Sequence, residues 1–541
     1  MHHTSLQTMV ILYLGLIFTV AILVVIAQKI KIAYPVFLVI AGLALSFIPA
    51  VPKIHIDPEL VFVIILPPIL FDASHQISLK GLWKWRRVIS VMAFGFVLFT
   101  ATLVAFISHW LIPGFPLAEG FMLGAIISPP DAAAAMSVLS YTKLPKTTKT
   151  ILEGESLLND ATSLTLFRFA LIAATSTGFV WHQAVTGFAF VVISGIGIGL
   201  AFGMLYYVIY KWLPTNANLD VAFSLTLPYL IYITAESVHS SGVLAVVTGG
   251  LLTAYQIHFV FSHQSRLKSA ALWSSIVFIF NAIIFFLIGL QLPEIAKAIK
   301  TMDVVTATEY ALIITFAVIV IRLLSSVFSG WFTAFISKYI TVAYDKPGWR
   351  GPFVVGWAGM RGVVSLASAS AIPLLLPGGQ TFPFRNLILF ITFVVILITL
   401  VGQGLTLPWI VKIVRPGEMM MPGAKPDNQQ LFEMELELYT NALDELETKH
   451  TKDTEGNKLL QHRKEFIKNK LELLTRAAGN EEFRDKAVEK LAHYRKVMIN
   501  ITERERRKLH EYRRKDGYDD DIIHYIERRL DLEEEQLEGE E

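Results

Sequence analysis

Two aspartates occupy places where a helix buried in lipid has least use for them. Asp131 follows a double proline in ISPPDAAAAM (Ile127–Met136), and Asp160 closes GESLLND (Gly154–Asp160), each with long apolar stretches beside it. A charge at the centre of a membrane helix costs ~2.5–3.5 kcal/mol on insertion scales, so two of them argue for a task. The competing structural reading is a carboxylate bonded to a neighbouring helix as glue. Ser156, Asn159 and Asp160 fall on one helical face, since residues three and four apart are neighbours. Pro129 and Pro130 lack N–H groups, which leaves the carbonyls of Ala125 and Ile126 without their usual helical donors. Carboxylate, amide, hydroxyl and carbonyl oxygens together are the ligands a hard cation prefers. Pro130 is therefore a candidate through its carbonyl, beside Asp131, Ser156, Asn159 and Asp160.

Other polar residues also stand in apolar surroundings. Asp72 follows a second double proline in LPPILFDAS (Leu66–Ser74), and either extends a cation route or ends a helix in contact with water. Glu155 lies five residues from Asp160, ~140° around the helix, so it points elsewhere. It needs a partner, and Arg322 and Arg361 are the two candidates. Unpairing a buried ion costs ~3–5 kcal/mol, so this pair reads as structural. Arg168 is expected to snorkel to an interface. Glu236 and His239 are expected to face water, and Asn281 to make an interhelical hydrogen bond.

Apolar spans must position all of these. Of 541 residues 54% are hydrophobic, and the mean hydropathy is +0.53. Runs of about 20 apolar residues, each able to cross a ~30 Å hydrocarbon core, recur along the chain. The fold class expected is an all-α polytopic membrane protein. The absence of cysteine excludes disulfides, thiolate metal sites and thiol catalysis. About thirteen spans fall near residues 8–28, 33–50, 58–76, 88–112, 117–139, 151–175, 180–211, 220–239, 242–256, 271–292, 305–337, 352–376 and 386–414. The first has the length of a full span and lacks the flanks of a cleaved signal. Seventeen Lys and Arg residues lie in loops after odd-numbered spans, against Lys53, Lys297, Lys300 and Arg385 after even-numbered ones. Positive loops stay cytoplasmic, which predicts an outside N-terminus and a cytoplasmic C-terminus in the cell (inner) membrane.

Span 5 is interrupted by its prolines and span 12 by GWAGMRG, with Gly356, Gly359 and Gly362. Position 12 matches position 5 if spans 1–6 recur, inverted, as spans 8–13. Paired broken helices in inverted repeats point to a transport site at the midplane. Beyond the membrane domain (residues 1–415), a soluble helical tail is expected over residues 422–541, because 53 of the 92 charged residues follow Met421. Phe432, Leu436, Tyr439, Leu443 and Leu446 form an a/d-like stripe there, continued in style by Leu460, Ile467, Leu471 and Leu474. A basic run, ERERRKLHEYRRK, precedes an acidic end, DLEEEQLEGEE.

GESLLNDAT, with ISPPDAAAA some twenty residues earlier, LPPILFDA before that and WAGMRGVVSLA later, resembles the monovalent cation:proton antiporters, in the branch of NhaP-type proteins and animal sodium/proton exchangers. The resemblance covers about residues 8–415. It implies two inverted repeats whose helices 5 and 12 cross where they are unwound, a homodimer, and electroneutral exchange of Na+ or a similar ion for H+. It makes Asp160 the ion and proton carrier, with Asn159 orienting the crossing and Ser156 and Asp131 completing the site. Asp72 contributes to the cation site in some members, and Glu155 pairs with Arg322. Many relatives carry Thr where this chain has Pro130, which leaves the choice among Na+, Li+ and K+ open.

Burial favours the neutral form of a carboxyl group, and a bound cation favours the charged form. The expected activity is thus antiport by competition of H+ and a metal ion for Asp160, without a cofactor, an enzymatic reaction or a nucleic-acid partner. A cation channel, an intramembrane aspartyl protease, an anion carrier or another proton-coupled solute transporter are the alternatives. The sequence shows no filter loop, no YD and GxGD pair, and buried acids unsuited to anions.

Overall fold

The computed structural model describes residues 6–49, 51, 57–139, 142, 144–175, 181–299, 303–336, 348–376, 379–416, 427–479, 481–513, 515 and 517–538. Lys53, Lys143, Lys300, Lys338 and Lys346 lie outside them, as do the expected span ends at 50 and 337 and the expected tail start at 422. Among the described residues every long element is helical, and the one extended pairing is an isolated bridge between Leu375 and Thr381. The contacts divide the chain into two units, Met1–Met421 and Pro422–Glu541.

Ten helices among the described residues are long and apolar enough to cross a membrane. Expected spans 2, 8 and 12 are not among them. Tyr34–Ser46 has only 13 residues, and Ala217–Ser237 carries Asp220, Pro228 and Glu236 within its apolar run. The span 12 region is split into Arg350–Trp357 and Val363–Ser370. The short helix Tyr34–Ser46 is held by close packing instead of length. Gly42 meets the backbone of Phe286 and Gly289 on helix His263–Leu290, an approach no larger residue permits.

The break in span 5 follows from its residues. Helix Leu117–Ile127 stops before the two prolines, and Ala132–Leu139 begins just after Asp131. Asp131 caps this second half: its Oδ1 accepts from the N–H of Ala133 at 2.9 Å and of Ala134 at 3.4 Å. In span 12, three glycines within seven residues weaken the helix, and Ala358–Gly362 is unwound. The two unwound segments touch, the Asp131 N–H donating to the Met360 carbonyl at 2.7 Å. A Cβ on Gly362 would collide with the Asp131 carboxylate. Gly362→Ala is therefore expected to cost about 1–3 kcal/mol through overpacking. The melting temperature of the purified protein should fall, while Gly402→Ala, whose Cβ would meet open space, leaves it unchanged or raised.

In the second unit, helices Asp427–Thr448 and Lys458–Gly479 pack together. Phe432, Leu436, Tyr439, Leu443 and Leu446 are all partly covered while Leu431, Met434 and Leu438 stay exposed, and Ile467 is buried. Lys464 and Lys468 reach Glu447 at 3.0 and 3.1 Å and hold its carboxyl below the usual glutamate range. Helices Glu481–Tyr512 and Asp520–Glu538 enclose Leu509, Ile523 and Leu530. Arg506 bonds Asp531 at 2.6 Å and Glu534 at 2.7 Å, so the basic run and the acidic end neutralise each other within this pair.

Candidate functional site

Helix Lys146–Thr175 runs past the unwound double-proline segment and supplies its missing partners. Asn159 is fully buried and donates Nδ2 to the Pro130 carbonyl at 2.9 Å. Ser156 Oγ accepts from the Ala132 N–H at 3.2 Å. Ser163 donates to the Ala125 carbonyl at 2.7 Å, with Ser128 also reaching it at 3.3 Å. The Ala125 carbonyl, without a helical N–H donor because residue 129 is proline, thus accepts from side-chain hydroxyls instead. Ser163 was legible only as one more small residue in DATS.

The residues converge on a cavity of about 260 Å³. Pro130, Asp131, Ser156 and Asp160 line it, as do Asp72, Gln76 and Glu153. Asn159 is not on its wall; it faces the proline segment and braces it. Gln76 donates to Asp72 at 2.7 Å, one helical turn on, and Lys149 lies 3.7 Å from Glu153. Asn281, from helix His263–Leu290, lines the cavity too.

The two central carboxylates have unlike surroundings. Asp131 receives backbone N–H groups from the first turns of two half-helices, those of Ala133 and Ala134 and that of Val363. Both helix N-termini bring their positive dipole ends to one carboxylate. Among the described residues nothing donates to the Asp160 carboxylate, and its charge faces that of Asp131 nearby. One acid has its negative charge answered by backbone N–H groups; among the described residues the other does not.

Glu155 points away from the cavity and is 1% exposed. Arg322, on helix Val304–Ile336, grips it with Nη1 at 2.5 Å and Nη2 at 2.6 Å. Arg361, the other candidate partner, takes a different role. Its Nη1 donates to the Gly359 carbonyl at 2.9 Å and its backbone N–H to Thr399 Oγ1 at 3.1 Å, so it ties down the unwound span 12 segment. Arg168 does not snorkel alone but bonds Glu236 at 2.5 Å, and Glu236 also accepts from the Gly242 N–H at 3.2 Å. This pair is partly exposed, 42% and 30%. Glu236→Gln is accordingly expected to cost under ~1 kcal/mol, seen as a melting-temperature change of a few degrees at most in purified protein.

Buried carboxylates, two unwound helices in contact and a polar cavity inside an apolar helical bundle define a multi-pass membrane transporter. The chain belongs to the sodium/hydrogen exchanger transmembrane family, whose model matches residues 15–413. It is 34% identical over 389 residues to a sodium, potassium, lithium and rubidium/H+ antiporter of Bacillus subtilis (strain 168), a match covering 70% of this chain and 57% of that protein. It is 30% identical over 537 residues to an uncharacterized Na+/H+ exchanger of Mycobacterium bovis, covering 97% of this chain and 96% of the other. Its fold resembles that of the sodium proton antiporter MjNhaP1 from Methanocaldococcus jannaschii, with a TM-score of 0.58 at 18% identity over 74% of this chain and all of that one.

Proposed function

We propose that this protein exchanges a monovalent cation, Na+ or also Li+ or K+, for H+ across the cell membrane, both ions competing for Asp160. The observation that carries this reading is the Asp160 carboxylate, placed at a polar cavity with no protein donor to neutralise it. A proton or a metal ion must then supply the neutralising charge, and one group cannot hold both. The neutralised site crosses between inward-open and outward-open states; the bare carboxylate stays where water reaches it. Exchange is compulsory without a cofactor. The names of the Bacillus subtilis and Mycobacterium bovis relatives agree with this activity.

Residue roles follow from the surroundings. Asp160, the Ser156 hydroxyl, the second lone pair of the Pro130 carbonyl and Asp131 form the cation site; Asn159 positions the carbonyl. Asp72 sits at the mouth and attracts cations into the cavity. Glu155 and Arg322 form the structural ion pair, with Arg361 beside them. Asn159 is an amide and carries no proton, so one proton is exchanged per cation and transport is electroneutral.

The architecture we propose has thirteen spans over residues 1–415 in two inverted repeats, with Tyr34–Ser46, Ala217–Ser237 and the broken pair as spans 2, 8 and 12. The loop charges place the N-terminus outside and residues 422–541 in the cytoplasm. A homodimer in the lipid bilayer is the assembly expected. In proteoliposomes carrying a proton gradient, added Na+, Li+ or K+ should collapse the gradient, at a rate unaffected by clamping the membrane potential. A cation current independent of the proton gradient would show a channel instead.

A further inference from the structure

Resting on the antiport reading, we propose that Asn281, on another helix lining the same cavity as Asp160, is a selectivity-determining ligand. Its amide oxygen replaces a water in the shell of the arriving cation. Asn281 lies on helix His263–Leu290, is 7% exposed, and borders the same cavity as Asp160 and Asp131. Its neighbours on that helix, Val277 and Ile284, are apolar, as are Ile65, Leu66, Ile69 and Leu70 from the adjoining helix. The amide is the one polar side chain of that helix on this cavity.

Interhelical bonding, the ordinary reason for an asparagine inside a membrane helix, requires a partner. Among the described residues no hydrogen bond to the Asn281 side chain is formed, although this helix packs closely on others. The amide's polar atoms are not among those sealed from solvent without a partner, so they open on the cavity, where water fills their bonding capacity until an arriving ion displaces it. This helix packs on Tyr34–Ser46 through Phe278, whose ring meets Tyr34 at 5.5 Å, and through Phe286 and Gly289, where the backbones meet; Asn281 lies between these contacts and borders the cavity. An amide oxygen suits a hard monovalent cation, and its neutrality leaves the proton count unchanged. A cation held by carboxylates alone is chosen mainly by charge. Beside the Ser156 hydroxyl and the Pro130 carbonyl, a further neutral oxygen from a third helix makes the site more sensitive to ionic radius.

The test compares wild type with Asn281→Ala, Asn281→Ser and Asn281→Asp in proteoliposomes, measuring apparent KM and maximal rate for Na+, Li+ and K+. Asn281→Ala should raise the apparent KM of the preferred ion about tenfold, the effect of losing one hydrogen-bond-sized contact, with the maximal rate little changed. The KM ratio between ions should narrow. Asn281→Ser keeps an oxygen and should recover part of the loss; Asn281→Asp should lower the apparent KM for all three ions. Stabilisation of the detergent-purified protein by the preferred ion, read as a melting-temperature rise, should shrink in Asn281→Ala. Unchanged KM values and ratios in the alanine and serine variants, with only rate or yield reduced, would overturn the proposal. That result differs from failure of the antiport reading, in which wild type itself exchanges none of the ions.

Discussion

Asp160→Asn should bring cation-driven proton movement down to the level of empty vesicles, while the protein remains folded. The substitution is nearly isosteric and exchanges a carboxylate for an amide of the same shape. Among the described residues nothing donates to Asp160, so no internal hydrogen bond is sacrificed, and removing a charge that faces Asp131 relieves repulsion. Melting temperature should hold or rise. On the proposed mechanism transport should fail because an amide neither takes up a proton in the working range nor balances a cation. Asp131→Asn serves as the contrast. An asparagine caps a helix about as well as an aspartate, so the half-helix starting at Ala132 should persist. Exchange should be weakened there through cation affinity, seen as a raised apparent KM. Retention of gradient-driven exchange by Asp160→Asn in sealed vesicles would remove the basis of the competition mechanism.

Glu155→Gln carries the largest expected stability effect, about 3–5 kcal/mol, because it strands a buried guanidinium. Arg322 is 4% exposed, its Nε has no partner, and both of its Nη groups bond Glu155. A second buried arginine is near: Gly359, whose carbonyl Arg361 holds, abuts the Arg322 side chain. One carboxylate thus compensates a region with two guanidiniums, which favours the upper part of that range. The outcome to measure is monodisperse yield and melting temperature in detergent. Replacing both partners, Glu155→Leu with Arg322→Met, should recover most of the loss, since a paired apolar replacement leaves no buried charge. If Glu155→Gln melts with wild type, the ion pair does not hold helix Lys146–Thr175 to Val304–Ile336. Because Asp160 lies on the first of these helices, the double variant also tests whether the pair is needed for exchange or only for stability.

The contrast between these two acids was only half visible in the residues. That Glu155 and Asp160 point different ways follows from helical geometry alone. That Arg322 and not Arg361 is the partner depended on which guanidinium the tertiary fold aims at Glu155, a long-range matter. Arg361 was an equal candidate by type, yet its own neighbours, Gly359 and Thr399, claimed it. The same holds for the two central aspartates. By residue type and apolar surroundings the two were alike; only the meeting of two half-helix N-termini at Asp131 separated their chemistry.

Composition and periodicity determined by themselves that this is a helical membrane protein with a charged tail. Hydrocarbon solvent demands long apolar runs, and departures from them are costly enough to be noticed. Prolines and glycines likewise marked both helix breaks, because they act on their own backbone. Tertiary structure alone decided where the freed groups went: Ser163 to the Ala125 carbonyl, Asn159 to Pro130, and Met360 to the Asp131 amide. It also decided that Asn281 would border the cavity. Such partners come from segments tens to hundreds of residues away, and the free energy that selects them is that of packing, which no local pattern encodes.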